Sequence, residues 1–349
     1  MADLDAHVRQ GLDGFDLDPA DLDRWAAEAE ATTAPVDTGA TDDEETTMLL
    51  RYTALSPDAK AHFGLSRDPF HNEIRSRDDL FLTPPARAVR EAMWQTAKNG
   101  GFMAVIGESG AGKTLLREDL FVRASEAGED IRLIMPHVEG MEENDKKGGH
   151  TLRSADIVEA IIQGLEPGVK MRHTRQGKLS QLEQLLRANR RAGVHAVLII
   201  EEAHCMPKVV LKHLKRFLEL KDGFTTLLAI IMLGQTELYD RLSESDASVR
   251  EVTQRCEIVG LPPLGGHLGA YLDHKFARLG VNRSEVLADD AVEALRVRLN
   301  DVEQRVRGQH VRTDSLVYPL AIGNLTNAAL NAAAKVGDAK VTAARVQKL

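Results

Sequence analysis

The chain has 349 residues, 43% of them apolar and 28% charged, and a formal net charge of −9. That length holds one large or two to three small domains with a sizeable core, and the composition is ordinary for a soluble globular protein. Cys205 and Cys256 are too few for a disulfide framework or a zinc cluster. No apolar run reaches a membrane-spanning length and the acidic start, Met1-Ala-Asp-Leu-Asp5, is no signal peptide, so a cytoplasmic protein without membrane contact is expected.

Charge is unevenly spread. Residues 1–47 carry fourteen acidic side chains against Arg9 and Arg24, a net of −12, which leaves +3 on residues 48–349. An acidic arm therefore precedes a mildly basic body that is compatible with a nucleic-acid partner. Within the arm, Asp18-Pro19 opens one plausible helix through Glu28, and residues 31–47 read as a linker. A flexible tail is the plain reading; a docking or self-inhibitory module is the sharper one.

Residues 48–100 read as helical, with starts at Ser56-Pro57 and Pro84-Pro85. An apolar strand from Phe102 then runs into Gly107-Glu-Ser-Gly-Ala-Gly-Lys-Thr114, the pattern G-x-x-x-x-G-K-T. Gly107, Gly110 and Gly112 let the backbone of Glu108, Ser109 and Ala111 curl its N–H groups around phosphate oxygens. A helix beginning near Lys113 adds its positive end, Lys113 reaches the β- and γ-phosphates, and the Thr114 hydroxyl is placed to hold Mg²⁺. ATP with Mg²⁺ is the expected ligand pair.

Further on, Ile131 to Pro136 is a short strand, and residues 139–153 are a polar, Gly-rich loop. Ser154 is expected to cap a helix buried through Ile157, Val158, Ile161, Ile162 and Leu165. A second basic loop, residues 170–178, leads to a helix marked by Leu179, Leu182, Leu185 and Leu186. Ala196 to Ile200 is a buried strand ending in Glu201-Glu202. Behind a P-loop, that order assigns Glu201 to the Mg²⁺ shell and Glu202 to the attacking water. Lys208, Lys212, Lys215 and Arg216 then line one side of a helix, ordinarily a solvated face and otherwise a contact for a polyanion. Leu227 to Leu233 is a third strand, with Gln235 at its carboxyl end near the γ-phosphate. Arg250 and Arg255 are two candidates for an arginine finger reaching a neighbouring subunit's nucleotide. Beyond Pro262-Pro263 the pattern turns wholly helical and ends in a short helix capped by Thr342.

Strands alternating with helices and then helices alone predict an α/β fold with a parallel sheet and a small all-helical lid. The expected divisions are 1–47, 48–100, 101–264 and 265–349.

His62-Phe-Gly-Leu65, Asp68-Pro-Phe70, the P-loop, Ile200-Glu-Glu-Ala-His204, Leu233-Gly-Gln-Thr-Glu-Leu238 and Gln254-Arg255 together resemble the AAA+ ATPases of the branch holding ExeA-type and transposition ATPases. Leu211 to Phe217, Val249 to Val252 and Tyr318 to Ile322 most resemble the B-type target-selection proteins of Mu-like transposable phages. The resemblance implies an ATPase that binds duplex DNA without reading its sequence, self-assembles into filaments or rings, and recruits a transposase. By position it implies DNA contacts at Lys146, Lys147, Thr151 and Arg153. Two departures, Glu201 in place of the usual Asp and Leu320 where relatives have a second-sensor arginine, imply slow hydrolysis. An ExeA-like assembly ATPase and a helicase-loader-type switch with a protein partner are the alternatives.

Overall fold

Hydroxyl caps start the first ordered helices. The Ser56 side chain accepts the Ala59 amide ahead of α1 (Pro57–His62), and Thr83 accepts that of Ala86 ahead of α2 (Pro84–Asn99). In both, proline fills the first turn, where an N–H would have no helical partner. The chain continues as β1 (Phe102–Ile106), α3 (Lys113–Glu126), β2 (Ile131–Ile134), α4 (Ser154–Leu165), α5 (Arg175–Arg191) and β3 (His195–Ile200). Next come α6 (Lys208–Leu218), β4 (Lys221–Asp222), β5 (Thr225–Thr226), β6 (Leu228–Gly234), α7 (Glu237–Arg241), α8 (Arg250–Thr253) and β7 (Glu257–Gly260). The remainder is α9 (Leu268–Ala277), α10 (Arg283–Val286), α11 (Asp289–Asn300), β8 (Glu303–Val306), β9 (Gln309–Arg312), α12 (Pro319–Val336) and α13 (Ala343–Val346). The structure, a computed structural model, describes residues 52–71, 79–128, 130–136, 153–242, 249–300, 303–306, 309–312 and 315–349. The acidic arm with its helix, and Lys146, Lys147 and Thr151, lie outside the described residues.

β1, β2, β3, β6 and β7 form one parallel sheet in the order β2-β3-β6-β1-β7. Strands buried on both faces must be apolar at every position, and β1, β3 and β6 are nearly so throughout. Their alternate side chains feed two cores. Ala104, Leu198, Ile200, Ile230 and Met232 pack with α4, α5 and α6 on one face. Val105, Val197, Ile199, Ala229 and Ile231 pack with α2 and α3 on the other.

A third core gathers α9 to α13 together with Leu55, Ala59 and Leu65 from near the other end of the described chain. Side-chain amides on α12 hold that early segment. Asn324 Oδ1 accepts the Thr53 amide, Asn327 donates to the Thr53 carbonyl and to Asp68, and Asn331 spans the Ala54 carbonyl and the Ser56 amide. Spacings of three and four residues put the three amides on one helix face.

Four local expectations change. The region after Pro263 is interrupted by the antiparallel β8–β9 hairpin, so it is not wholly helical. A second hairpin, β4–β5, precedes β6. Ser154 is the first residue of α4 and not its cap; the turn is closed by the Arg153 amide donating to the Asp156 carboxylate at 2.7 Å. Thr342 precedes α13 without a side-chain cap bond. Among the described residues no helix is long and apolar enough to cross a membrane.

Candidate active site

Register places the functional loops on one edge of the sheet. Ile106 pairs with Gly234, and Met232 with Ile200, so the chain leaves β1, β6 and β3 side by side. The Gly107 amide donates to the Gly234 carbonyl at 3.2 Å, which ties the start of the P-loop to the end of β6. Two loop glycines adopt backbone that other residues resist: Gly110 at φ +74° and Gly112 at φ +103°. Gly112 stands at the head of α3 with no side-chain cap, so the first amides of that helix point into the loop without helical partners.

Lys113 curls back over this loop, donating to the carbonyls of Gly107 at 2.7 Å and Glu108 at 3.0 Å. Burial pulls its pKa below the ordinary lysine value, against the opposing pull of the carboxylates of Glu202, Glu108, Glu237 and Glu201. Four carboxylates thus act on one half-buried ammonium, and a divalent cation bound with a polyphosphate would offset their charge. Thr114 is exposed on the first turn of α3 and Glu201 lies at the end of β3. Hydroxyl and carboxylate oxygens suit Mg²⁺, which ordinarily completes its shell with waters and substrate phosphates. No cluster of three or more His, Cys, Asp or Glu able to hold a metal occurs among the described residues.

Beyond β3, Glu201 is held by Arg117 of α3. Glu202 is the one non-glycine with positive φ among the described residues, at +46°. Backbone strain of this kind collects at functional sites. Its carboxylate is exposed and approaches His204 Nδ1 at 3.6 Å. That nitrogen accepts the Gln235 amide at 3.4 Å, which leaves the ring proton on Nε2, so the Glu202 approach is not an ion pair in this tautomer. Thr236 donates its hydroxyl to Glu108 at 2.8 Å, a second tie between β6 and the P-loop.

The P-loop residues, Lys113, Thr114, Glu201, Glu202 and Gln235 thus converge on one edge. Arg250 and Arg255 are elsewhere: Arg250 is exposed at the start of α8, and Arg255 lies 3.6 Å from Glu219 at the far end of α6. Arg153 is exposed just before α4. Sequence reasoning gives no role at the site to Arg117, His204 or Thr236; Leu320 it singles out through the resemblance, as the residue in place of a second-sensor arginine. A side chain at Gly110 would overlap Leu320 on α12, so the helical region touches the phosphate loop itself. Arg117 follows Lys113 by one helical turn, the single periodic signal that pointed to it.

The five-stranded parallel sheet, the P-loop following β1 between β6 and β7, and the acidic end of β3 beyond β6 define a P-loop ATPase of the AAA+ fold, an enzyme that uses ATP with Mg²⁺. Residues 95–242 match the AAA domain family. The chain is similar to general secretion pathway protein A of Aeromonas hydrophila, with 24% identity over 197 residues; the match covers 55% of this chain and 32% of that protein, about a third of the relative's length. In fold it is similar to Cdc6p from Pyrobaculum aerophilum, with a TM-score of 0.52 and 14% identity over 83% of this chain and 69% of that one. It is equally similar to Drosophila ORC bound to DNA, at TM-score 0.52 and 15% identity, covering 91% and 70% of the two chains.

Proposed function

We propose that this ATPase binds duplex DNA without sequence preference when loaded with ATP, assembles on it as a filament or ring, and recruits a transposase. The observation that carries the reading is Arg153, exposed where the basic stretch Lys146-Lys147 runs into α4, on a body whose charge is positive once the acidic arm is set aside. The DNA bound to Drosophila ORC supports it at the level of a shared fold. Contacts from such residues go to phosphates, so binding is sequence-tolerant and falls steeply with salt.

In the site, the loop Gly107 to Gly112 and the head of α3 cradle the phosphates, and Lys113 leaves its own carbonyls for the β- and γ-oxygens. Thr114 and Glu201 are the residues that would hold Mg²⁺, and the bound ion would supply positive charge against that developing on the transferred phosphoryl group. Glu202 orients the attacking water and takes its proton, with Gln235 beside the γ-phosphate. Arg250 or Arg255 of a neighbouring protomer completes the site in the assembly. The Glu201–Arg117 pair and Leu320 against the P-loop both favour slow turnover.

Similarity to general secretion pathway protein A favours a second reading, an ATPase that drives assembly of a protein partner. Electron microscopy of the full chain with ATP and duplex DNA, with ADP and with Lys113→Ala, separates the two. ATP-dependent coating of DNA that Lys113→Ala abolishes supports the first reading. Coating by Lys113→Ala equal to the parent's, or none by the parent at low salt, overturns it.

A further inference from the structure

Several arginines among the described residues pair with acids: Arg90 with Asp119, Arg187 with Asp222, Arg278 with Asp79. One face departs from that pattern. Arg175 opens α5, and Arg216 lies on α6 one turn beyond Lys212; all three are exposed, and none has a hydrogen bond or ion pair among the described residues. They share a neighbourhood through His213. Its ring contacts the Ser154 hydroxyl at the head of α4, next to Arg153. Burial, then the charges of Arg216 and Arg175, hold its pKa below the ordinary histidine value. Positive groups on α5 and α6 therefore act on one imidazole, which is itself bonded to the head of α4. The acids nearest in sequence on α4 are already occupied, Asp156 by the Arg153 amide and Glu159 by Lys178.

Like charges gathered without counterions repel one another, and an arrangement of this kind is relieved by a polyanion. Guanidinium forks match phosphate oxygens, and exposed Arg153 adds a further guanidinium at the head of α4. We propose that Arg175, Lys212 and Arg216, converging beside Arg153, form a phosphate-binding face for the backbone of duplex DNA. This rests on the DNA-binding reading above and assigns it to side chains of α5 and α6.

Fluorescence anisotropy of the full chain with ATP, Mg²⁺ and a labelled duplex, titrated with salt, tests it. The Arg175→Ala/Arg216→Ala variant is expected to lower the slope of log affinity against log salt by about two, and to weaken binding roughly fivefold or more per side chain at 0.15 M salt. Arg87→Ala removes an arginine on the opposite side of the sheet and is expected to leave both quantities at parental values. Retained ATP hydrolysis without DNA shows that the double variant is folded. Parental affinity and slope in that folded variant overturn the inference while leaving the DNA reading in place. A parent that binds no duplex overturns both. Equal competition by poly-glutamate of matched charge also overturns it, because the face would then not select phosphate.

Discussion

The central strands and helix α12 are both buried, and they are held in opposite ways. β1, β3 and β6 present aliphatic side chains to both faces of the sheet and use their polar groups only within the backbone ladder. α12 buries Ala321, Gly323, Ala329 and Ala333 beside Asn324, Thr326 and Asn327, and its amides hydrogen-bond to the backbone of a distant segment. The strands are stabilised by apolar area, which is non-directional; α12 buries Ile322, Leu325 and Leu330 as well, and adds to that area close approach and specific hydrogen bonds. The first arrangement gives a rigid platform for the phosphate loop. The second ties α12 to residues 53–56 on one face, while Leu320 near its start closes on Gly110 of the loop.

Substitutions in the two regions break or sharpen this contrast. Ile230→Ala, fully buried in β6, is expected to cost about 3–5 kcal/mol in urea unfolding, since the sheet cannot close around the cavity. Gly110→Ala tests the contact between the regions: it is expected to cost about 1–3 kcal/mol and to weaken ATP binding measured by calorimetry. The overlapping atom is Leu320 Cβ, so Leu320→Gly restores ATP binding in that background and Leu320→Ala does not.

The helical core also buries Lys275, whose pKa is lowered to about 8 by burial first and by Arg278 second. Between about 8 and the ordinary lysine value of 10.5, the unfolded chain binds a proton that the folded one does not, so stability rises with pH through that window. Lys275→Met is expected to flatten that rise and to add on the order of 1–3 kcal/mol at pH 7, read from unfolding curves at pH 7 and 10. Asn327→Ala removes the bonds to the Thr53 carbonyl and Asp68 and is expected to cost about 1–2 kcal/mol. Faster hydrogen exchange confined to the amides near residues 53–56 would show that the loss is local. The smallest effect is at the site: Arg117→Gln releases Glu201, and the Mg²⁺ concentration for half-maximal hydrolysis is expected to fall less than about fivefold.

The apolar runs at residues 102–106, 196–200 and 228–233 and the glycine-lysine-threonine pattern were legible because each is contiguous, and strand period and turn chemistry act over a few residues. The β8–β9 and β4–β5 hairpins were not. Their strands are two to four residues long, with no alternation to detect.

By itself the sequence determined the phosphate loop, the buried strands, their order along the chain and the acids that follow β3. Only the tertiary structure decided that Arg117 holds Glu201, that Leu320 closes on Gly110, that asparagines of α12 grip residues 53–56, and that Arg175 and Arg216 share one face around His213. The division follows the range of the forces. Backbone propensity and periodicity are written into neighbouring residues, whereas these contacts join residues tens to hundreds of positions apart and exist only once the apolar cores have brought their helices together.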